Sequence, residues 1–174
     1  NNYKLDNKKI NLIHVDYRNS NNFKNNILNT KIYIKNCFET AFKIIRSGYS
    51  NKLINGPINK STFLDKKFLG LTEYISKKFK KNHTAMLIYN EDLSVCPLTT
   101  HLPLKLVSSK INKKKISEKT KLINIFFTKY LGFKPKIAVT GLNPHCESIL
   151  KFNEDEKIIR PTIKSLKKKG YNIH

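Results

Sequence analysis

The sequence predicts an α/β fold with a mostly parallel sheet that one hairpin modifies. Two observations support this prediction. Short apolar runs typical of strands alternate with longer segments whose apolar residues recur at helical spacing. Hydrophobic residues make up 39% of the 174-residue chain, which is enough for a packed core. Such alternation is typical of parallel sheets, in which helices connect successive strands. Since no internal repeat or linker stands out, we treat residues 1–174 as one α/β region without an internal boundary.

The first part of the chain is predicted to contain one long helix between two short strands. Thr30 is a favourable N-cap, and the helix is expected to run to about Ser47, where Gly48 ends it. Its apolar residues, such as Ile34, Phe38 and Ile45, share one face. The other predicted segments are a strand at 10–15, a polar loop at 19–29, a strand at 52–54 and a turn at 55–57.

Three helices and a hairpin are predicted in the middle of the chain. Pro103 opens a short helix that reaches about residue 111. Ser117 is expected to cap a longer helix that runs to Leu131 and ends at Gly132. The remaining predicted elements are a lysine-rich helix at 72–80 and a hairpin of the apolar runs 84–89 and 93–98.

The last part of the chain is predicted to be a strand, a loop and a helix. A strand at 136–140 leads into a loop at 141–152. Asn153 and Glu156 form a pattern like a capping box at the start of the final helix. Gly170 ends that helix, and Pro161 is expected to kink or restart it.

The formal net charge of +22 raises the alternative of a nucleic-acid-binding domain. Almost all of the positive charge comes from lysine, since Arg18, Arg46 and Arg160 are the only arginines. Recognition of bases and phosphates usually relies on the arginine fork. The abundance of Lys, Asn and Ile is also what AT-rich codons produce. We therefore expect a solvated lysine surface and no nucleic-acid partner, although the positive field would favour phosphorylated substrates.

Composition also bears on location. No apolar run approaches the roughly 20 residues that span a bilayer, so no membrane partner is expected. Cys37, Cys96 and Cys146 are odd in number and widely spaced, which indicates a reducing cytoplasm and not a disulfide framework. The chain starts without Met and ends directly after a helical segment, so we expect it to be part of a longer protein.

Three predicted loops follow strands, which is where ligands bind in open α/β sheets. The loop at 55–60 ends in Lys60, a point charge suited to phosphate or carboxylate, although for this loop taken alone an ordinary turn is the favoured explanation. The loops at 99–104 and 141–147 carry His101 and His145. Each imidazole could bind a metal or satisfy local hydrogen bonds. The two histidines are 44 residues apart, so their spacing is not a local zinc signature.

Four motifs in series resemble the 4-hydroxythreonine-4-phosphate dehydrogenase family. They read Asn-Gly-Pro-Ile-Asn-Lys at 55–60, Gly-Leu-Thr-Glu-Tyr at 70–74, Thr-Thr-His-Leu-Pro-Leu at 99–104 and Gly-Leu-Asn-Pro-His at 141–145. Their order and intervening lengths also fit, and the resemblance extends from about residue 30 to the end. Asp155 and Glu156 also resemble the family segment after the second histidine motif.

The resemblance implies a three-layer α/β/α enzyme of the isocitrate and isopropylmalate dehydrogenase type. It implies a cytoplasmic homodimer that uses NAD and a divalent metal (Zn, Mg or Co) on a phosphorylated small-molecule substrate. His101 and His145 match two of three metal-binding histidines, and Thr72 matches a substrate-binding position. The third histidine and the nucleotide-binding residues would lie beyond residue 174, and a glycine-rich start would precede residue 1. The chain is then the central part of a two-domain dehydrogenase, inactive by itself.

Two positions depart from the family pattern. Leu71 stands where the family often has a histidine that contacts substrate. Residues 146–149 read Cys-Glu-Ser-Ile where a glycine-rich stretch often follows the second metal histidine. The first departure keeps open a related dehydrogenase that acts on another hydroxy acid.

Overall fold

The computed structural model describes residues 4–6, 8–18, 22–65, 67–142 and 153–174. They form two compact units, Asn1–Leu71 and Thr72–His174. None of the helices formed by the described residues combines the length and the apolar character needed to cross a bilayer. We predicted that residues 1–174 are one α/β region and the central part of a two-domain enzyme, and this stays a prediction.

The first unit is built on helix α1, Phe23–Arg46. The side chain of Asn22 caps it by accepting hydrogen bonds from the backbone N–H groups of Lys24 (3.0 Å) and Asn25 (3.4 Å). The prediction that Thr30 caps this helix and that 19–29 is a loop was therefore wrong over residues 23–29. Asn is as good a cap as Thr, and Asn22 offers the N–H groups of the first turn an acceptor eight residues before Thr30.

Helix α2, Lys60–Leu64, was not predicted. It packs against α1, where Phe63 stacks on Phe38 with ring centroids 5.4 Å apart. Phe42 is fully buried beside Phe38, so three phenyl rings form the centre of this unit. Removing rings of this size from water supplies the main driving force for the pairing of the two helices.

Helix α3, Leu71–Lys78, belongs to the second unit except for Leu71, and it confirms the helix predicted at 72–80 to within two residues. The predicted hairpin is present as one antiparallel bridge, in which Ile88 and Val95 exchange hydrogen bonds of 2.8 and 2.9 Å. The helix expected after Pro103 is two short 3-10 turns, Leu104–Leu106 and Ser108–Lys110.

Helix α4, Lys113–Phe126, continues into a π-helical turn, Phe127–Leu131, that ends at Gly132 with φ +80°. Its N-cap is Asn112, whose side chain accepts from the N–H of Lys115 at 2.9 Å. The prediction of Ser117 as the cap was wrong, because Asn112 satisfies the first turn one turn earlier. The predicted end at Leu131 is confirmed.

The final helix is a π-helical turn, Asp155–Ile159, followed by α5, Arg160–Lys168. The predicted cap is confirmed, since Asn153 Oδ1 accepts from the N–H groups of Asp155 (2.8 Å) and Glu156 (3.3 Å). Pro161 lies in the first turn of α5, where its missing N–H costs nothing. The helix restarts there, as predicted.

The core of the second unit joins α4 and α5 to the predicted strand at 136–140. Ile137 pairs with Ile173 in parallel, and Val139 N–H donates to the His174 carbonyl at 2.8 Å. Ile173 is buried at the centre of the cluster. Its other buried members are Ile111, Ile116, Ile159 and Leu166.

Strand pairing is sparse. Among the described residues the backbone is bridged only at these two places, and 10–15 and 52–54 pair with no other segment. The predicted strands at these two positions were therefore not found. An apolar run becomes a strand only where a neighbouring segment accepts its backbone hydrogen bonds.

Candidate metal and substrate site

Thr72 is the second residue of α3, and its side chain is exposed. The first turn of a helix has N–H groups without partners inside the helix and carries a partial positive charge. A hydroxyl at this place can donate to an oxygen of an anionic ligand, as the predicted substrate-binding role requires. The role itself stays a prediction.

Lys60 is the first residue of α2 and is also exposed. The preceding Asn59 caps this helix, with its Oδ1 accepting from Thr62 N–H at 3.1 Å and from Ser61 Oγ at 2.7 Å. Lys60 belongs to the first unit, whereas Thr72 and His101 belong to the second. Its ammonium group is available for an anion, and its substrate-binding role stays a prediction.

His101 has a left-handed backbone, with φ +55°, and an exposed side chain. It follows the 88–95 bridge and precedes the turn Leu104–Leu106. A residue with a Cβ pays about 1–2 kcal/mol in this conformation. Backbone strain of this kind is concentrated at functional sites, where a side chain must point in a particular direction.

The chemistry of His101 fits a divalent transition metal. Neutral imidazole is a favoured ligand of zinc and similar ions, and no described residue hydrogen-bonds to this ring. Within the described ranges, no group of three or more His, Cys, Asp or Glu side chains could hold an ion. The role of His101 as one ligand of such an ion stays a prediction. His145 lies outside the described residues, so its convergence with His101 stays a prediction.

Two cysteines lie among the described residues. Cys37 and Cys96 are half-buried free thiols. Burial raises the pKa of the Cys96 thiol, and the nearby Lys119 only partly offsets this. In the absence of a metal ion, Cys96 is therefore protonated at neutral pH.

A polar cleft lies along the carboxyl half of α3 and the segment after it. It does not include Thr72 or His101, so it is separate from the predicted site. Its lining residues are Glu73, Ser76, Lys77, Lys80, Lys81, Asn82 and Thr84.

A contact that the sequence did not predict joins the start of the fourth motif, at Leu142, to the final helix. The buried carboxylate of Asp155 accepts a hydrogen bond from the backbone N–H of Leu142 at 3.2 Å. Asp155 had been noted only as part of the family segment. One sequence feature could have indicated this contact. It is an acidic residue in the first turn of a helix whose inner face is otherwise apolar.

Comparison with known proteins identifies the family. Residues 2–174 match the family model of the pyridoxal phosphate biosynthetic protein PdxA. The chain belongs to the PdxA family. The resemblance stated from the four motifs is thereby confirmed.

Relatives within the PdxA family are named for two different activities. The chain is 38% identical over 139 residues to 4-hydroxythreonine-4-phosphate dehydrogenase of Sulfurihydrogenibium sp., covering 78% of this chain and 43% of the relative. It is 29% identical over 142 residues to D-threonate 4-phosphate dehydrogenase of Pectobacterium atrosepticum, covering 79% and 43%. The chain thus spans less than half of the length of these relatives.

Solved structures agree with the PdxA assignment. The 4-hydroxythreonine-4-phosphate dehydrogenase of Klebsiella pneumoniae superimposes with a TM-score of 0.72 at 25% identity, over 84% of this chain and 46% of that chain. The aligned part therefore has the α/β dehydrogenase fold of these structures, which confirms the predicted class at this level.

Proposed function

We propose that this chain is part of an NAD-dependent 4-hydroxythreonine-4-phosphate dehydrogenase. The full-length enzyme would oxidise and decarboxylate 4-phosphooxy-L-threonine to 3-amino-2-oxopropyl phosphate in vitamin B6 biosynthesis. The observation that carries this proposal is the match of residues 2–174 to the PdxA family. The relative from Sulfurihydrogenibium, which is named for this activity, supports it.

The finer architecture belongs to the same proposal. We expect three α/β/α layers of the isocitrate and isopropylmalate dehydrogenase type, and a cytoplasmic homodimer with its cleft between two domains. The relatives are more than twice as long as the matched segment, which leaves room for a second domain and for the NAD site outside these residues. The segment by itself is then inactive.

His101 and His145 are proposed to hold a divalent metal together with a third ligand outside this chain. When bound, such an ion supplies Lewis acidity that lowers the pKa of the substrate hydroxyl and stabilises charge on oxygen. The contribution of His101 itself is the orientation of its imidazole. The left-handed backbone of His101 directs an exposed imidazole that no described residue engages.

Thr72 and Lys60 are proposed to bind the phosphorylated substrate. Thr72 places a hydroxyl at the positive end of α3, and Lys60 supplies a mobile ammonium group. The net charge of +22 raises the local concentration of an anionic substrate at low ionic strength. Binding should therefore weaken as salt increases.

A second candidate function is oxidation of a different phosphorylated hydroxy acid. Leu71, half-buried at the first position of α3, replaces the histidine that the family often places beside Thr72. The Pectobacterium relative is named for D-threonate 4-phosphate, which carries a hydroxyl group where 4-phosphooxy-L-threonine carries an amino group. Comparing kcat/KM for the two substrates separates the candidates.

The alternative of a nucleic-acid-binding domain depends on the net charge alone. Nucleic-acid binding that falls steeply with salt would support it, if the same protein had no affinity for metal or dinucleotide.

The experiment that tests the proposal uses the full-length protein with the substitution His101→Ala. We expect loss of metal-dependent NADH formation and a lower bound-metal content. His83→Ala is the matched control, since His83 is also exposed but pairs with Glu118 at 3.2 Å. Wild-type turnover and metal content in His101→Ala would overturn the assignment.

A further inference from the structure

The polar cleft beside α3 is a feature of the second unit that the proposed function does not use. Its volume is about 550 Å³, and small-molecule sites have volumes of roughly 300–1,000 Å³. The charged residues that line it are three lysines and one glutamate, namely Lys77, Lys80, Lys81 and Glu73. The cleft is therefore net positive and has the size of a small-molecule site.

The end of α3 places two of these lysines at the cleft. Lys80 has a left-handed backbone, with φ +51°. Its N–H donates to the Lys77 carbonyl at 3.2 Å, and the Lys81 N–H donates to the Ser76 carbonyl at 3.0 Å. These two hydrogen bonds form a Schellman motif, in which glycine usually takes the left-handed position. A residue with a Cβ is strained there.

Helix α5 shows that this motif does not need a lysine. Its Gly170 N–H donates to the Lys167 carbonyl at 2.9 Å, and its Tyr171 N–H donates to the Leu166 carbonyl at 3.2 Å. Gly170, with φ +83°, thus has the position that Lys80 has at the end of α3. Lysine at this position gives up backbone stability that the same chain obtains elsewhere from glycine. Strain of this kind is concentrated where a side chain is needed for binding.

The partial negative charge at the end of α3 does not cancel the charge of the lysines. A helix C-terminus carries about half an elementary negative charge. Two of its carbonyls already accept from the N–H groups of Lys80 and Lys81, and the Ser76 hydroxyl donates to the Lys81 carbonyl. Among the described residues, the ammonium groups of Lys80 and Lys81 have no ion-pair partner. They can bind an anion without breaking a pair with any of these residues.

The segment that forms the other wall of the cleft is fixed to α4. The Thr84 carbonyl accepts from Lys119 Nζ at 2.7 Å. His83 Nδ1 lies 3.2 Å from a carboxylate oxygen of Glu118. The exposed side chains of Asn82 and Thr84 line the cleft and can donate hydrogen bonds from an amide and a hydroxyl group. Neutral donors of this kind complement lysines around a group with several acceptor oxygens.

We propose that this cleft is a second anion-binding site, whose ligand is a small molecule with a diphosphate or longer polyphosphate group. Lysine binds phosphate as a mobile point charge, so several lysines around one cleft suit a ligand with several negative charges. Glu73 can accept a hydrogen bond from a hydroxyl or amino group of the same ligand. The inference goes beyond the proposed function and does not depend on it.

Isothermal titration calorimetry of the full-length protein with inorganic pyrophosphate, at constant ionic strength, tests this proposal. The double variant Lys80→Gln, Lys81→Gln should bind pyrophosphate about tenfold more weakly than the wild type. Lys167→Gln with Lys168→Gln is the matched control, since it removes two exposed lysines at the end of α5 that do not line the cleft. Its affinity should stay within about twofold of the wild type, because salt screens distant charges.

Lys80→Gly separates a role in binding from a role in structure. Glycine removes the strain of the left-handed backbone, so Tm should rise. Pyrophosphate binding should weaken about fivefold in the same variant. A lysine with a purely structural role would not raise stability and lower affinity together when it is removed. If the double variant does not fold, Lys80→Gly still decides.

Three results would overturn the proposal. The first is a wild-type protein that does not bind pyrophosphate, or equal losses in the two double variants, which would mean that only the overall charge attracts the anion. The second is loss of binding in Thr72→Ala with wild-type affinity in the Lys80 and Lys81 variants, which would place pyrophosphate in the predicted substrate site. The third is tighter binding of a single-stranded RNA that the same cleft variants weaken, which would assign these lysines to nucleic acid.

The same measurements distinguish failure of this proposal from failure of the proposed function. A full-length wild type without dehydrogenase activity that still binds pyrophosphate through Lys80 and Lys81 would overturn the proposed function alone. An active dehydrogenase whose cleft variants bind pyrophosphate as the wild type does would overturn the second site alone.

Discussion

Lys31 of α1 donates a hydrogen bond to the carboxylate of Asp65, the residue that ends α2. Asp65 has a left-handed backbone, with φ +50°. Aspartate tolerates this conformation better than most residues, and the ion pair adds a second link between helices that otherwise meet through phenyl rings.

This ion pair makes stability depend on pH. The hydrogen bond from Lys31 lowers the pKa of the Asp65 carboxyl below its usual value. A carboxyl whose folded pKa is lowered contributes stability above its unfolded pKa of about 3.9 and loses it as pH falls through the folded pKa. Lys31→Met should therefore lower Tm slightly at pH 7 and by less as the solution is acidified below pH ~4.

The measurement is Tm of the full-length protein across that pH range. The effect should be small, because the Asp65 side chain is 42% exposed. Lys35→Met is the control, since it removes an exposed charge of α1 that has no ion pair among the described residues. Equal pH profiles for the two variants would show that the pair contributes nothing.

Asn112 offers a test of how α4 begins. Its side chain caps the Lys115 N–H, and the first turn holds three lysines and no acid. Lysines repel the positive end of the helix, so the cap matters more here than usual. We expect Asn112→Ala to cost about 1 kcal/mol. Asn112→Asp should stabilise the protein by about 0.5 kcal/mol through its added charge.

Chemical denaturation of the full-length protein measures both changes. Ser117→Ala is the control, because Ser117 lies inside α4 and a serine there gives no cap. It should change stability by less than about 0.5 kcal/mol. A larger loss in Ser117→Ala than in Asn112→Ala would place the start of the helix at Ser117 in solution.

Local signals predicted the elements that local interactions determine. The cap at Asn153, the glycine stop at Gly132 and α3 each depend on neighbours in sequence, and all three were predictable. Asn22 was missed because several asparagines stand close together in this part of the sequence, and the pattern does not show which of them caps the helix. Predicted strands at 10–15 and 52–54 failed because pairing depends on a partner that a periodic pattern does not specify.

In the candidate site, too, the sequence predicted what depends on local residues and missed what depends on the folded backbone. The chemistry of side chains in loops after predicted strands indicated His101 and Lys60, and the resemblance of the motifs to a known family indicated Thr72. Sequence patterns could not indicate the left-handed backbone of His101, because only Gly and Asn are reliable markers of positive φ. The contact of Asp155 with Leu142 crosses thirteen residues and depends on the packing of α5.

The backbone of His101 can be tested separately from its side chain. His101→Gly and His101→Ala both remove the imidazole, but only glycine adopts φ +55° without strain. We expect His101→Gly to be about 1 kcal/mol more stable than His101→Ala, with metal binding lost in both.

Thr100 supplies the control for this comparison. Its φ is not positive, so Thr100→Gly should be less stable than Thr100→Ala, the reverse of the order at His101. Denaturation midpoints of the four full-length variants measure this. The same order at both positions would mean that His101 is not left-handed in solution.

Leu71 provides the last prediction, which concerns substrate choice. Leu71 precedes Thr72 at the start of α3 and is half-buried, so a histidine there would stand beside the predicted substrate hydroxyl contact. One added hydrogen bond to an anionic group is worth about 1.5 kcal/mol, or about tenfold in affinity. Leu71→His should therefore lower KM about tenfold for the true phosphorylated substrate and change KM little for its unphosphorylated counterpart.

The measurement is kcat and KM of the full-length enzyme for 4-phosphooxy-L-threonine, D-threonate 4-phosphate and their unphosphorylated forms. Leu71→Met, which keeps the position apolar, should behave as the wild type. If Leu71→His improves D-threonate 4-phosphate alone, the second candidate function is the better one. If neither phosphorylated substrate is affected, Leu71 lies outside the substrate site.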